Sequence, residues 1–321
     1  MLKDLIEGFY IKLRSSIMAV KGVLQPPGRV IAIPTYIEYR GGVKRIRMFD
    51  EALKYFIENF PEHYRWFKFA GRCLPAPPLN MIDEIYDPRK FRPDQSKQSK
   101  DAEDLRRTII RESGIDESFV GVSGSILLGL SSPSSDIDLI IFGLKHGEAV
   151  YNLLKDMRRR GEMESLSDPS IILRSRKDSS IDPRTWFMAE RKKLLTGVFR
   201  GRVYTAKIVP LPSEYWERLD QECRELGKAS LIGEILDDSY SITTPNRYIL
   251  EVIESSSNNL EPGERIEVMS MRSRFAEMAS RGELVEVRGR LELIKLEGDT
   301  WKRVFLGNDL EDMILPCDTP K

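Results

Sequence analysis

"GVSGSILLGLSSPSSDIDLIIFG" runs from Gly121 to Gly143, and its reading decides the fold. A short apolar run ends in small residues, a helical stretch closes at Gly129, and Asp136-Ile-Asp138 opens a second apolar run. The order is strand, short helix, strand. Side chains alternate along a strand, so Asp136 and Asp138 face one side while Ile137 and Leu139 face the other. Two like charges held side by side repel, and need a cation or a proton between them. Hard divalent ions, Mg2+ or Mn2+, suit carboxylate oxygen. An isolated Asp-x-Asp carries little weight, because an exposed strand face or an N-cap produces the same letters. Here Gly124-Ser125 stands where strand meets helix. Free backbone N–H groups bind phosphate there, and glycine lets phosphate come close. The pattern G-S-x(3)-G-x(5)-S-D-x-D is thus a phosphate cradle followed by a metal pair, which suits phosphoryl or nucleotidyl transfer. The Gly-Lys-Ser/Thr element of a P-loop is missing.

Around this stretch the chain has 321 residues, enough for two or three domains. Fifty basic residues balance fifty acidic ones, which argues against a chain-wide nucleic-acid or membrane coat but leaves room for a local basic groove. Cys73, Cys223 and Cys317 are far apart with no CxxC spacing, so neither a zinc site nor a disulfide framework is expected, and a reducing cytoplasm is the natural home. With His63 and His146 as the only histidines, Ser-His-Asp hydrolysis has little material; His63 reads as an ordinary surface or packing residue. No signal peptide and no apolar run of membrane-spanning length is read, so no membrane partner is expected. Seven Asn and four Gln among many Arg, Glu and Lys lean thermophilic.

The expected organisation has three parts. Residues 1–100 form a mixed α/β region with a linker at about 86–100. "GRVIAIPTYIEYR" (28–40) is strand-like, and a helix from Asp50 puts Leu53, Phe56 and Ile57 on one face until Pro61 stops it. No chemical motif is read in 1–85. Residues 101–225 carry helices at 101–113, after Gly147 and from Asp182-Pro183, and strands at the motif and at "RVYTAKIVPLP" (202–212). Residues 226–321 read as strands separated by Gly, Pro and Asn turns, with one short helix at "SRFAEMAS", and are expected to form a small, OB-like β-barrel.

"GSILLG" and "SDIDLIIFG" resemble the signature of the DNA polymerase β-like nucleotidyltransferase superfamily, and more narrowly a group of predicted archaeal nucleotidyltransferases. The resemblance is strong over about 119–212; "QPPGRVIAIPTY" and "RSRFAEMASRGELVEVRGRLE" are similar to the archaeal group less specifically. It implies an α+β fold, a nucleotidyltransferase-type mixed sheet backed by helices. It also implies transfer of a nucleoside monophosphate from NTP to a hydroxyl with two divalent ions, on RNA, protein or a small molecule. Gly124, Ser125, Ser135 and Lys207 would hold triphosphate, and Asp136 and Asp138 would ligate metal and carry catalysis. The pattern calls for a third acid on the 202–212 strand, and the position corresponds to Thr205. Asp178, Asp182 or Glu190 could stand in, each competing with a reading as cap or surface charge. The alternative is a catalytically impaired NTP- or RNA-binding module on the same fold; a structural protein keeping the motif only as a turn is the third reading.

Basic residues crowd the same segment: Arg174, Arg176, Lys177, Arg184, Arg191, Lys192, Lys193, Arg200, Arg202 and Lys207. They could hold triphosphate or a nucleic-acid backbone. Trp186, Phe187 and Tyr204 among them could stack a base, although for Trp186 and Phe187 a core role is favoured. Arg272, Arg274, Arg281, Arg288 and Arg290 give the C-terminal part a mildly basic section.

Overall fold

The computed structural model describes residues 5–171, 179–307 and 309–317. It is a mixed α+β structure with several sheets and few helices. In the N-terminal part, strands β1 (Tyr10–Leu13), β2 (Ser16–Val20), β3 (Ala32–Tyr39), β4 (Gly42–Arg45) and β7 (Glu84–Tyr86) form an antiparallel sheet in the order β4-β3-β2-β1-β7. A hairpin of β5 (Tyr64–Phe67) and β6 (Arg72–Pro75) stands apart. Helix α1 (Phe49–Asn59) ends before Pro61. Its buried stripe is Ala52 and Phe56, continued by Phe60 one turn on; Ile57, one residue round the helix from Phe56, leaves the stripe and is exposed.

The central part begins earlier than expected. Helix α2 runs Lys97–Ser113 because the Ser96 hydroxyl accepts the Ser99 N–H, a cap that draws the end of the polar 86–100 stretch into the helix. Then come β8 (Val120–Ser123), α3 (Gly124–Leu127), β9 (Ile137–Phe142), α4 (Leu144–Arg159), α5 (Pro183–Glu190), β10 (Thr196–Phe199) and β11 (Arg202–Val209). The sheet order is β10-β11-β9-β8, with β9 and β11 parallel and the other two pairings antiparallel.

The two faces of this sheet have different coverings. Ile137, Leu139, Ile141, Ala206 and Ile208 pack with Leu105 and Ile109 of α2 and Val150 and Leu154 of α4. Ile140, Phe142 and Val209 point the other way and pack with Phe9, Ile11 and Val20 of the N-terminal sheet. The approach is close at Gly8, where a Cβ would come within 2.9 Å of Ile140 Cγ1. Asp138 lies on this second face, with Asp136 just ahead of the strand, so the N-terminal sheet covers the apolar end of that face.

The C-terminal part holds β12 (Glu222–Tyr240), β13 (Asn246–Ser255), β14 (Arg265–Ser270), β15 (Leu284–Leu296), β16 (Asp299–Leu306) and β17 (Met313–Pro316). The ladder runs β12-β13-β14-β16-β15, with β14 and β16 parallel; β15 also pairs with β12 and with β17. The helix expected in "SRFAEMAS" is a single 3-10 turn, Ser273–Phe275, because the chain turns at Glu277 (φ 56°) and docks there. The Glu277 carboxylate accepts the N–H groups of Leu194 and Leu195 at 2.8 and 3.0 Å, and Lys193 Nζ donates to the Arg274 carbonyl at 2.7 Å. No helix among the described residues is long and apolar enough to cross a membrane.

Candidate functional site

The site forms where β8, α3, β9 and β11 meet. Asp138 lies between Ser123 of β8 and Thr205 of β11 in register. Ile137 and Leu139 are buried on one face, Asp138 on the other is half-buried, and Asp136 ahead of the strand is exposed. Gly124 (φ +66°) lies against the carboxylate: a Cβ there would fall 2.0 Å from Asp138 Oδ2. Ser125 and Ser135, ten residues apart, meet at 3.3 Å between hydroxyls, and Ser135 Oγ also accepts the Ser132 N–H at 2.9 Å. Arg202 staples this loop. Its guanidinium donates to the carbonyls of Pro133 and Ser135, both at 2.9 Å, and to Asp101 at 2.8 Å. With only four residues, α3 carries little helix dipole, so the cradle rests on the bare Gly124 backbone and the two hydroxyls.

The N-terminal sheet supplies residues that no motif in the sequence marked. Glu7, 2% exposed, takes Lys21 at 3.3 Å and Lys207 at 3.4 Å on one oxygen. Burial pushes the Glu7 carboxyl up, but the two ammonium groups more than offset this and hold it below its ordinary value. Ser123 Oγ donates to the Gly8 carbonyl at 2.7 Å, tying β8 to the same segment. The Asp138 charge is felt at Tyr10 and Tyr36. Burial first, then the Asp138 charge, pushes the Tyr10 hydroxyl far up, and burial raises that of Tyr36. Asp138 itself makes no hydrogen bond and no ion pair within 4.0 Å among the described residues. Removal from water raises its pKa, and Lys207 and Arg45 pull against that rise. The available sequence signal was the alternation Tyr36, Arg45, Arg47 on either side of the Gly41-Gly42 turn.

Strand β11 carries no acidic residue. Thr205 stands directly beside Asp138, and Lys207 follows two residues on along the same face. Asp182 caps α5, accepting the N–H groups of Arg184 and Thr185 at 2.9 and 3.1 Å. Glu190 is 1% exposed and pairs with Lys193 at 3.5 Å. Asp178, Arg174, Arg176 and Lys177 lie outside the described residues. No group of three or more His, Cys, Asp or Glu side chains able to hold a metal is found among the described residues. Asp136 and Asp138 would be the chain's share of the shell of one magnesium-like ion, which commonly takes one or two carboxylates with substrate phosphate and water. No carboxylate set for a second ion is found among the described residues.

Trp186 and Tyr204 are each 1% exposed. Trp186 packs 5.8 Å from Phe275, and the Tyr204 hydroxyl donates to the Leu194 carbonyl, so both are core. Arg200 pairs with Asp104. In the C-terminal part Arg288 pairs with Glu286, Arg290 with Glu292, and Arg274 is buried, so most of that basic section is neutralised or covered.

No protein-family model matches the chain, and no solved structure matches it. Among curated proteins it is similar to the uncharacterized protein MJ1086 of Methanocaldococcus jannaschii, 24% identical over 208 residues. The match covers 63% of this chain and 59% of the relative, so the chain spans less than two thirds of that protein's length.

Proposed function

We propose that the cleft at Asp138 binds a nucleoside triphosphate with one divalent ion and serves nucleotidyl transfer to a hydroxyl. The observation that carries this is a half-buried carboxylate with no hydrogen-bond or ion-pair partner among the described residues, packed so closely on Gly124 that a Cβ there would fall 2.0 Å from its Oδ2. A protein keeps such an uncompensated charge at a cost, and a bound cation relieves it. Asp136 and Asp138 would hold the ion. Gly124, Ser125, Ser135 and Lys207 would take phosphate oxygens. The ion would neutralise developing charge on the transferred phosphoryl group. The four-stranded mixed sheet backed by α2 and α4 supports the nucleotidyltransferase-type fold. In the C-terminal part, the ladder that returns from β15 to β12 supports an OB-type barrel, which could present an acceptor such as RNA. Scattered cysteines, with Cys223 buried, support a cytoplasmic setting.

Thr205 favours a second reading, in which NTP binds but transfer is slow or absent, because no third carboxylate activates the acceptor hydroxyl. Calorimetry with the four NTPs, with and without Mg2+ or Mn2+, tests the shared core of both readings. Binding that needs metal and weakens at least tenfold in Asp136→Ala, about 1.4 kcal/mol, supports it. No binding of any NTP to the wild type overturns it. Pyrophosphate release in the presence of acceptor RNA then separates transfer from binding alone.

A further inference from the structure

We propose that the β3–β4 hairpin is a nucleic-acid arm, on which Tyr39 stacks a base of a single-stranded polynucleotide while Arg40, Arg45 and Arg47 hold its phosphates. The inference goes beyond the NTP reading above and does not rest on it.

The end of the hairpin is open to solvent. Every residue from Glu38 to Arg45 is exposed, and β4 is the edge of its sheet. Tyr39 and Gly42 close the ladder, so the turn is Arg40-Gly41, with φ +50° and +77°. Two positive φ values in a two-residue loop match the twist of the flanking strands and hold the arm in one shape. Its base is anchored by Ile46, 5% exposed, whose N–H donates to the Thr35 carbonyl at 2.8 Å. At the tip Tyr39 is 50% exposed. The Arg40 guanidinium lies 5.1 Å and Lys44 Nζ 5.9 Å from its ring centre, and Lys44 is fixed in turn by Glu51 of α1 at 2.6 Å. The ring is thus held among cations and still half open to water.

The charge of the arm is one-sided in a balanced chain. From Glu38 to Arg47, the four cations Arg40, Lys44, Arg45 and Arg47 stand against one carboxylate, Glu38. Arg40, Arg45 and Arg47 make no ion pair with a carboxylate within 4.0 Å among the described residues. Edge strands carry charge to block pairing with other sheets, which accounts for the cations alone and not for a half-exposed tyrosine at the tip. Guanidinium forks match phosphate oxygens, and an open aromatic ring among them is a stacking platform for an unpaired base. Other partners use less of the surface. An acidic peptide would meet the arginines and leave the ring idle. A membrane needs an apolar face; Val43, 53% exposed, pairs with Glu38 and so points to the opposite side from Tyr39.

Fluorescence anisotropy with a labelled single-stranded oligouridine, over a series of salt concentrations, tests it. The proteins are wild type, Tyr39→Ala, Tyr39→Phe, the Arg40→Gln/Arg45→Gln/Arg47→Gln triple variant, and Lys228→Gln on β12 as control. The substitutions are on exposed residues, and unchanged melting checks the fold. Tyr39→Ala should lose about tenfold in affinity and Tyr39→Phe should keep it, because stacking needs the ring and not the hydroxyl. The triple variant should bind more weakly with a shallower salt dependence, by about 0.7 in the log–log slope for each phosphate contact removed. Lys228→Gln should match wild type. A wild type that does not bind the oligonucleotide, or an affinity unchanged in Tyr39→Ala or in the triple variant, overturns the arm. Tighter binding to polyglutamate, or to vesicles of phosphatidylserine and phosphatidylcholine, than to the oligonucleotide overturns it too and assigns the hairpin to an acidic protein or a membrane.

Discussion

Glu292 on β15 and Asp138 on β9 are both carboxylates drawn out of bulk water within a sheet. Glu292, 1% exposed, accepts two N–H groups from Arg303 at 2.9 and 2.7 Å, one from Arg72 at 2.6 Å and one from Arg290 at 2.9 Å. Arg303 reaches on to Glu217, so the cluster joins β15 and β16 to the β5–β6 hairpin of the N-terminal part. Asp138 has no such company: its nearest cations act through space, and Lys207 is bonded to Glu7 instead. A buried charge whose lone pairs are all used is a structural joint. A partly buried charge without such partners, beside Ser123 and Gly124, is what the proposed ion site would use.

Glu292→Ala should therefore give the largest effect on folding. It strands Arg303 with no fully buried partner on β15, and removal of one member of a buried pair costs about 3–5 kcal/mol. Urea unfolding reads the loss, while NTP affinity of the folded fraction stays at the wild-type level. A loss below about 1 kcal/mol, the range of surface pairs, would break the comparison from its structural side.

Glu7 sharpens the contrast because it belongs to both kinds. It is buried and paired like Glu292, yet Lys207, one of its partners, faces the cleft. Its folded pKa lies below the ordinary value despite burial, because Lys21 and Lys207 favour the anion. The stability it contributes is thus present above the ordinary carboxylate value of 4.5 and is lost as pH falls through the lower folded value. Glu7→Gln should cost about 1–3 kcal/mol at neutral pH, as for a hydrogen bond to a charged group. The gap to wild type should close in acid. Unfolding followed from neutral pH to below 4.5 checks it; a gap that persists in acid would assign the loss to packing.

Much of the central sheet was legible because its signals are local. Alternation in Asp136–Leu139, the Asp182-Pro183 helix start and the Ile-Val-Pro end of β11 each depend on neighbours in sequence. The position expected for a third acid was Thr205, and β11 sets Thr205 in register with Asp138. What stayed hidden came from afar. Glu7 meets Lys207 across 200 residues, and the charge of Arg45 is felt at Asp138 only through the docking of one sheet on another. Tertiary packing also overrode local expectation at "SRFAEMAS", where Glu277 serves the backbone of Leu194 and Leu195 and the helix shrinks to one turn. Among the aromatics of α5 and β11 a core role was favoured for Trp186, which is buried, while Tyr204, left open as a stacking residue, is buried as well.

The smallest expected effect decides most about the cleft. Removal from water raises the Asp138 pKa, so the ionised carboxylate is less favourable in the folded chain than in the unfolded one. Below the ordinary value of 3.8 the group is protonated in both states, and Asp138→Asn should match wild type. As pH rises from there through the folded pKa, the unfolded wild type gains by releasing its proton first. The variant should then become more stable, by about 0.5–1 kcal/mol, the scale of substitutions that relieve a functional strain. Mg2+ and NTP should reverse the order of melting, because ligand stabilises only the chain that binds it. An Asp138→Asn protein that is less stable than wild type without ligand would make Asp138 a structural carboxylate like Glu292. The contrast between the two sites would then fail at its functional end.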